Sequence, residues 1–175
     1  MREGTGACGI RAAQCTVEDK PEVLRILQNC ARKFDTHIIC FNAEMVAGRR
    51  HVEAAVQHAI RSFEAGETIS NTLEMEALLY AAGSRQCQVA ASFGLREGDN
   101  HLWICCYPTR DEVWPCLEPL MQFQKAGSQV QIDCAKRERL MQLFGISPEE
   151  LGALESADQI VDLVLERVAL LQVSR

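Results

Sequence analysis

The chain has 175 residues, 47% of them hydrophobic and 24% charged, and a formal net charge of −6. A chain of this length and composition buries most of its apolar surface, which excludes disorder. The acidic balance excludes a protein that coats nucleic acid non-specifically, because such binding is driven by neutralising phosphates, and it confines any RNA contact to a local basic patch. No apolar run approaches the roughly 18 to 20 residues that cross a bilayer. The opening "MREGTGACGIRAAQC" lacks a signal-type apolar stretch, so a cytoplasmic protein without a membrane partner is expected.

Residues 7–15 read as a first strand and 19–33 as a helix whose apolar positions are Val23, Leu24, Ile26, Leu27 and Cys30. "HIICFNAEMV" reads as a buried strand, followed by a helix opening at "GRRH". In that helix Val52, Ala55, Val56, Ala59, Ile60 and Phe63 form one apolar stripe. Arg50, Gln57 and Arg61 fall opposite, and His51 and His58 on a flank, where both are expected as surface polar residues. In "ISNTLEMEALLYAAGSRQ", residues 69–86, Asn71 is the expected N-cap, with Glu74 completing a capping box and Gly83 as the left-handed stop. Ser84 can cap a further short helix.

"HLWICCY" is the next strand, and Pro115 and Pro119 make 109–126 an irregular helix. "QVQID" is expected as an edge strand and "AKRERLMQLFGI" as a helix. "SPEE" is a strong start signal, with Ser147 as N-cap, Pro148 in the first turn and Glu150 at the third position. The last helix starts at Ser156 with the box "SADQ". From Ile160 to Leu171 its apolar positions spread over roughly 220°, wider than the ~100° a helix needs to face its own core. Either the helix is nearly buried or its outer side docks a partner. The order of elements predicts an α/β fold: a compact single domain over 1–175, with a small mixed sheet packed with several helices.

The chemistry-bearing motifs are weak. "GTGACG" matches GxGxxG, but only Met1, Arg2 and Glu3 precede it, so no strand delivers the chain into the turn that a dinucleotide site requires. Nine cysteines, an odd number without a CxxC spacing, read as reduced, largely buried thiols rather than a disulfide framework or structural zinc. His51 and His58 stand two turns apart, about 10 Å, too far to share a metal. No nucleophile sits in a recognisable catalytic setting, so neither a catalytic residue nor a metal or other cofactor is assigned. One cluster stands out. Arg49, Arg50 and His51 lie at a helix start, Ile69, Ser70 and Asn71 open the next helix, and Ser84, Arg85 and Gln86 close it. These residues read either as caps and a solvated face or as a small site for phosphate and base edges.

Three blocks, "FNAEMVAGRRHVEAAVQHAI", "ISNTLEMEALLYAAGSRQCQVAASFGL" and "IVDLVLERVALLQV", resemble the kinase-binding accessory subunit of the KEOPS complex, in the same order and over most of residues 10–173. That complex makes threonylcarbamoyl adenosine next to the anticodon of tRNA. The resemblance implies a non-catalytic α/β protein that binds a small RIO-like kinase subunit and, as in archaeal members, the single-stranded 3′ CCA end of tRNA. It implies that 156–173 is a partner-binding helix, with Val161, Leu165, Val168 and Leu171 as kinase contacts. Arg49, Arg50, His51, Ile69, Ser70, Asn71, Arg85 and Gln86 become the tRNA-binding set, their individual roles assigned from residue chemistry. Two alternatives stand beside it: a kinase adaptor that never touches RNA, and a cysteine-dependent small enzyme.

Overall fold

The computed structural model describes residues 7–125, 132–152 and 157–173. In chain order these hold β1 (Gly9–Val17), α1 (Lys20–Lys33), β2 (His37–Asn42), α2 (Arg49–Ala65), α3 (Leu73–Ala82), α4 (Cys87–Ala91), β3 (Gly98–Tyr107), α5 (Val113–Leu117), β4 (Gln122–Phe123), α6 (Cys134–Phe144), α7 (Pro148–Leu151) and α8 (Ala157–Val173). The expected α/β class is what forms. No helix among the described residues is long and apolar enough to cross a membrane.

The chain divides into two compact units. One comprises residues 1–42 and 94–128, the other 43–93 and 129–175. The first unit carries the four-stranded sheet, in the order β2-β3-β1-β4. Every pairing is antiparallel: β3 runs beside β1 from Gly9 opposite Cys106 to Val17 opposite Gly98, and beside β2 from His37 opposite Tyr107 to Asn42 opposite Leu102. The two-residue β4 meets β1 at Ala13 and Gln14. The mixed sheet expected from the strand, helix, strand order therefore does not form among the described residues. β1 and β2 do run in the same direction, as a helical crossover requires, but β3 sits between them and is antiparallel to both.

Local chemistry explains the elements of this unit. Asp19 caps α1 by accepting from the Glu22 amide at 3.2 Å, and Pro21 occupies the first turn, where its missing N–H costs nothing. Val23, Leu27 and Cys30 face inward and pack with Ala13, Val17, Ile38, Leu102, Ile104 and Trp114. Leu24 is left partly exposed. In the irregular segment, Pro115 falls in the first turn of the five-residue α5, the one helical position that tolerates it.

The second unit is helical. The stripe expected on α2 is buried at Val52, Ala55, Val56, Ala59 and Ile60, whereas Phe63 stays 39% exposed in the last turn. The helix ends on Gly66 in the left-handed conformation that favours glycine. α3 ends likewise on Gly83 (φ 60°). Ser147 and Glu150 form the complete capping box at the start of α7. The "SADQ" cap at Ser156 and residues 129–131 of "QVQID" lie outside the described residues; Ile132 and Asp133 are not in a strand, and Asp133 instead caps α6.

Candidate nucleic-acid and partner interfaces

All residues of both predicted sites belong to the helical unit. α2 begins at Gly48 without a side-chain cap and without an acidic residue in its first turn, so the free N–H groups and the positive end of the helix dipole stand beside Arg49 and Arg50. Arg49 pairs with Glu53 at 3.3 Å and Arg50 with Asp162 of α8 at 3.1 Å, both on the exposed surface. Pairs so exposed are worth roughly 0–1 kcal/mol, so neither guanidinium is firmly committed to its carboxylate.

His51 corrects the sequence reading. Its ring is completely buried, not on a flank of the surface. The Ala47 amide donates to Nδ1 at 2.9 Å, which leaves the proton on Nε2, and Nε2–H donates to the Ala81 carbonyl at 2.8 Å. The Phe144 ring meets it edge-on at 5.5 Å. Burial, and secondarily the ammonium of Lys136, hold its pKa down at about 4. His51 is thus a structural clasp that ties the start of α2 to the end of α3, and it cannot contact a ligand. His58 is half-buried, stacked on Tyr80 at 5.2 Å and donating to Gln172 at 3.0 Å; burial lowers its pKa as well.

The clasp brings the start of α2 to the end of α3. Arg49 and Arg50 are exposed at the first, and the exposed Arg85 and Gln86 follow the second. Arg85 has no ion-pair partner among the described residues. Ser84 Oγ accepts from the Gln86 amide at 3.1 Å, so Gln86 rather than Ser84 occupies the cap position of α4. Ile69, Ser70 and Asn71 lie at the other end of α3, separated by ten helical residues, a rise of about 15 Å. The eight residues are therefore not one cluster but two groups at the ends of one helix, with His51 removed.

At the α3 start the expected cap moves by one residue. Thr72, not Asn71, is the N-cap, its Oγ1 accepting from the Met75 amide at 3.2 Å. The reason is Glu76, fully buried, whose carboxylate accepts from the Ile69 amide (3.0 Å), the Ser70 amide (2.8 Å) and the Ser70 hydroxyl (3.0 Å). Sequence reasoning missed Glu76 because it sits on the apolar run, where a lone acidic residue carries no periodic signal. Asn71 is left exposed, with its amide unused among the described residues. Thermal or urea melts should show Thr72→Ala costing about 1 kcal/mol and Asn71→Ala nearly nothing.

The predicted kinase contacts on α8 also change. Val161, Val168 and Leu171 are buried, together with Ile160 and Val164, and only Leu165 of the four is partly exposed. α8 packs against α2, α3 and α6, which consumes the half of the apolar arc carrying these residues. The opposite half is left outward, with Leu165 at its edge, Ala169 exposed, Leu170 48% exposed and Val173 73% exposed. Spacing alone could have separated the halves, since residues 161, 164, 168 and 171 follow the core repeat and 165, 169 and 173 a second one.

None of the nine cysteines is in a disulfide. Burial pushes the thiols of Cys30 and Cys40 up to about 12, so both are protonated and poor nucleophiles at neutral pH. Among the described residues no three His, Cys, Asp or Glu side chains converge as metal ligands would.

Fold and surface together define an α/β protein whose helical unit exposes arginines at the start of α2 and an outward apolar face on α8. The chain belongs to the family described as kinase binding protein CGI-121, whose model matches residues 15–172. No individual curated protein matches it.

Proposed function

We propose that this protein is a non-catalytic adaptor of a KEOPS-type complex. It binds the small RIO-like kinase subunit and recruits tRNA through its 3′ CCA end, promoting threonylcarbamoyl modification of the adenosine next to the anticodon. Membership of a kinase-binding family supports the first half. The outward strip Leu165, Ala169, Leu170 and Val173 is the apolar surface that a kinase lobe would cover, replacing the buried valines as contacts.

The second half rests on one observation: the His51–Ala81 hydrogen bond joins the start of α2, which carries the exposed Arg49 and Arg50, to the end of α3, after which come the exposed Arg85 and Gln86. On a chain of net charge −6 such a patch is a local site for phosphates and does not attract nucleic acid generally. Its contribution to modification would be positional. Holding one end of the tRNA raises the effective concentration of the anticodon loop at a distant active site.

The test is binding of the purified protein to intact tRNA and to the same tRNA lacking its CCA end, at matched, moderate salt. Removal of CCA should abolish most of the binding. Equal binding to both would overturn CCA recognition, and no binding to either would leave a kinase adaptor that does not touch RNA.

A further inference from the structure

The sheet unit gathers thiols that neither proposed interface uses. Cys30 in the last turn of α1, Cys106 on β3 and Cys116 in α5 share one core, on the face of the sheet where α1 and α5 pack against each other. Cys105 points to the opposite face, as the alternation along a strand requires. Within this core the sulfurs are not equivalent. Cys106 Sγ lies 3.3 Å from the Thr36 hydroxyl, and its S–H donates to the Pro108 carbonyl at 3.5 Å. The Cys30 thiol is instead hydrogen-bonded to that of Cys116, so these two sulfurs are in contact. Contact is the first requirement of a disulfide, whose bond is only about 2 Å long.

Exposure divides the roles within the pair. Cys30 is 4% exposed and burial keeps its thiol protonated, whereas Cys116 is half-buried and can meet a small solute. Redox-sensing cysteines are accessible thiols with a second thiol poised beside them to resolve the oxidised form. We propose that Cys30 and Cys116 are a peroxide-responsive pair, in which Cys116 is oxidised first and Cys30 then resolves it to a disulfide that joins α1 to α5.

In the first step the Cys116 sulfur attacks one oxygen of hydrogen peroxide. The O–O bond breaks, the leaving oxygen departs as water with the thiol proton, and Cys116 becomes a sulfenic acid. In the second step the Cys30 sulfur attacks the Cys116 sulfur. The S–S bond forms, the S–O bond breaks, and the departing hydroxide takes the Cys30 proton as a second water. Two thiols thus give two electrons to one peroxide, and a thiol reductant reverses the bond. The loop it closes runs from 30 to 116, and long loops gain most from closure, so oxidation should raise the resistance to urea.

The experiment exposes the reduced, folded protein to hydrogen peroxide without denaturant, blocks the remaining thiols with iodoacetamide in urea, and maps disulfides by mass spectrometry of the unreduced digest. The exposed Cys87 and Cys134 report that oxidant was supplied. The expected intramolecular product is the Cys30–Cys116 peptide pair, lost again after dithiothreitol. The urea midpoint of the oxidised protein should lie above that of the reduced one, and this shift should vanish in Cys116→Ser. In Cys30→Ala the sulfenic acid on Cys116 should persist and be captured by dimedone, because its resolving partner is gone.

Oxidation of Cys87 and Cys134 that leaves both Cys30 and Cys116 alkylated overturns the proposal, as does a disulfide that pairs Cys30 with Cys106. So does a Cys30–Cys116 bond that forms only once urea has opened the fold, since native contact would then not be its cause. Dimedone captured on Cys30 in place of Cys116 contradicts the assigned order. Should either variant fail to fold, the wild-type disulfide map and its reversal by reductant decide alone.

Discussion

Acidification from pH 6.5 to pH 4 is expected to remove up to roughly 3 kcal/mol of folding stability through His51 alone. In the unfolded chain the imidazole takes up a proton near pH 6.5, whereas in the folded protein burial delays protonation to about pH 4. Between those values the unfolded state binds more protons, so stability rises with pH and is lost as the solution is acidified. A protonated ring would also turn Nδ1 into a donor facing the Ala47 N–H, breaking one of the two bonds that hold the clasp. The check is urea unfolding at pH 7.5, 5.5 and 4.5 for the wild type and His51→Leu. The variant leaves the Ala47 amide and Ala81 carbonyl without their partner and should be less stable at pH 7.5 by about 2–4 kcal/mol. Its deficit should shrink as pH falls. A constant gap between the two proteins would show that His51 does not titrate as its surroundings require.

The second large effect separates the two sides of α8. Val168 is fully buried, and an aspartate there would be a carboxylate without a partner. Val168→Asp should cost at least about 4 kcal/mol, a large part of the roughly 5–15 kcal/mol that keeps a typical domain folded. Leu170→Glu, on the exposed face, should change stability by less than about 0.5 kcal/mol. If the outward strip is the kinase surface, it should still weaken kinase binding about tenfold or more. Melting curves and kinase pull-down of both variants decide it. Loss of kinase binding in Val168→Asp alone would mean that the fold, and not this face, is what the kinase requires.

These outcomes follow the line between what was legible in the sequence and what was not. Signals carried by adjacent residues could be read: the Ser147 and Glu150 box, the helix of "AKRERLMQLFGI", and the left-handed stop of α3 at Gly83. The α2 stripe was legible for the same reason, since a regular helix fixes which side chains share a face.

Signals that depend on a third element were not. His51 projects to the edge of the α2 stripe, and only Phe144 of α6 and Ala81 of α3 close over it. The α3 cap moved from Asn71 to Thr72 because both can cap, and the choice is made by Glu76, which pulls back the amides preceding them. On α8 the wide apolar arc left open whether the helix is nearly buried or turns an apolar side outward. The buried Val161, Val168 and Leu171 and the exposed Leu170 and Val173 divide the arc, and a projection could not say where, because it gives angles but not which angle the neighbours cover. In the sheet, the strand, helix, strand order was legible and adjacency was not, since β3 arrives from far along the chain to separate β1 from β2 and makes every pairing antiparallel.

That interposed strand also sets the order in which the protein can assemble during synthesis. β1 and β2 have no ladder to share until β3 exists, and everything from Ala43 to Glu97 is made before it. α2 and α3, joined by a short connection, can meet while the sheet is still two unpaired edges. Because long-range pairings must meet the entropy of loop closure before they gain anything, the sheet should be the slow step of folding. A ribosome stalled before Tyr107 would hold apolar strand edges in the open, the species on which chaperones act and from which aggregation begins.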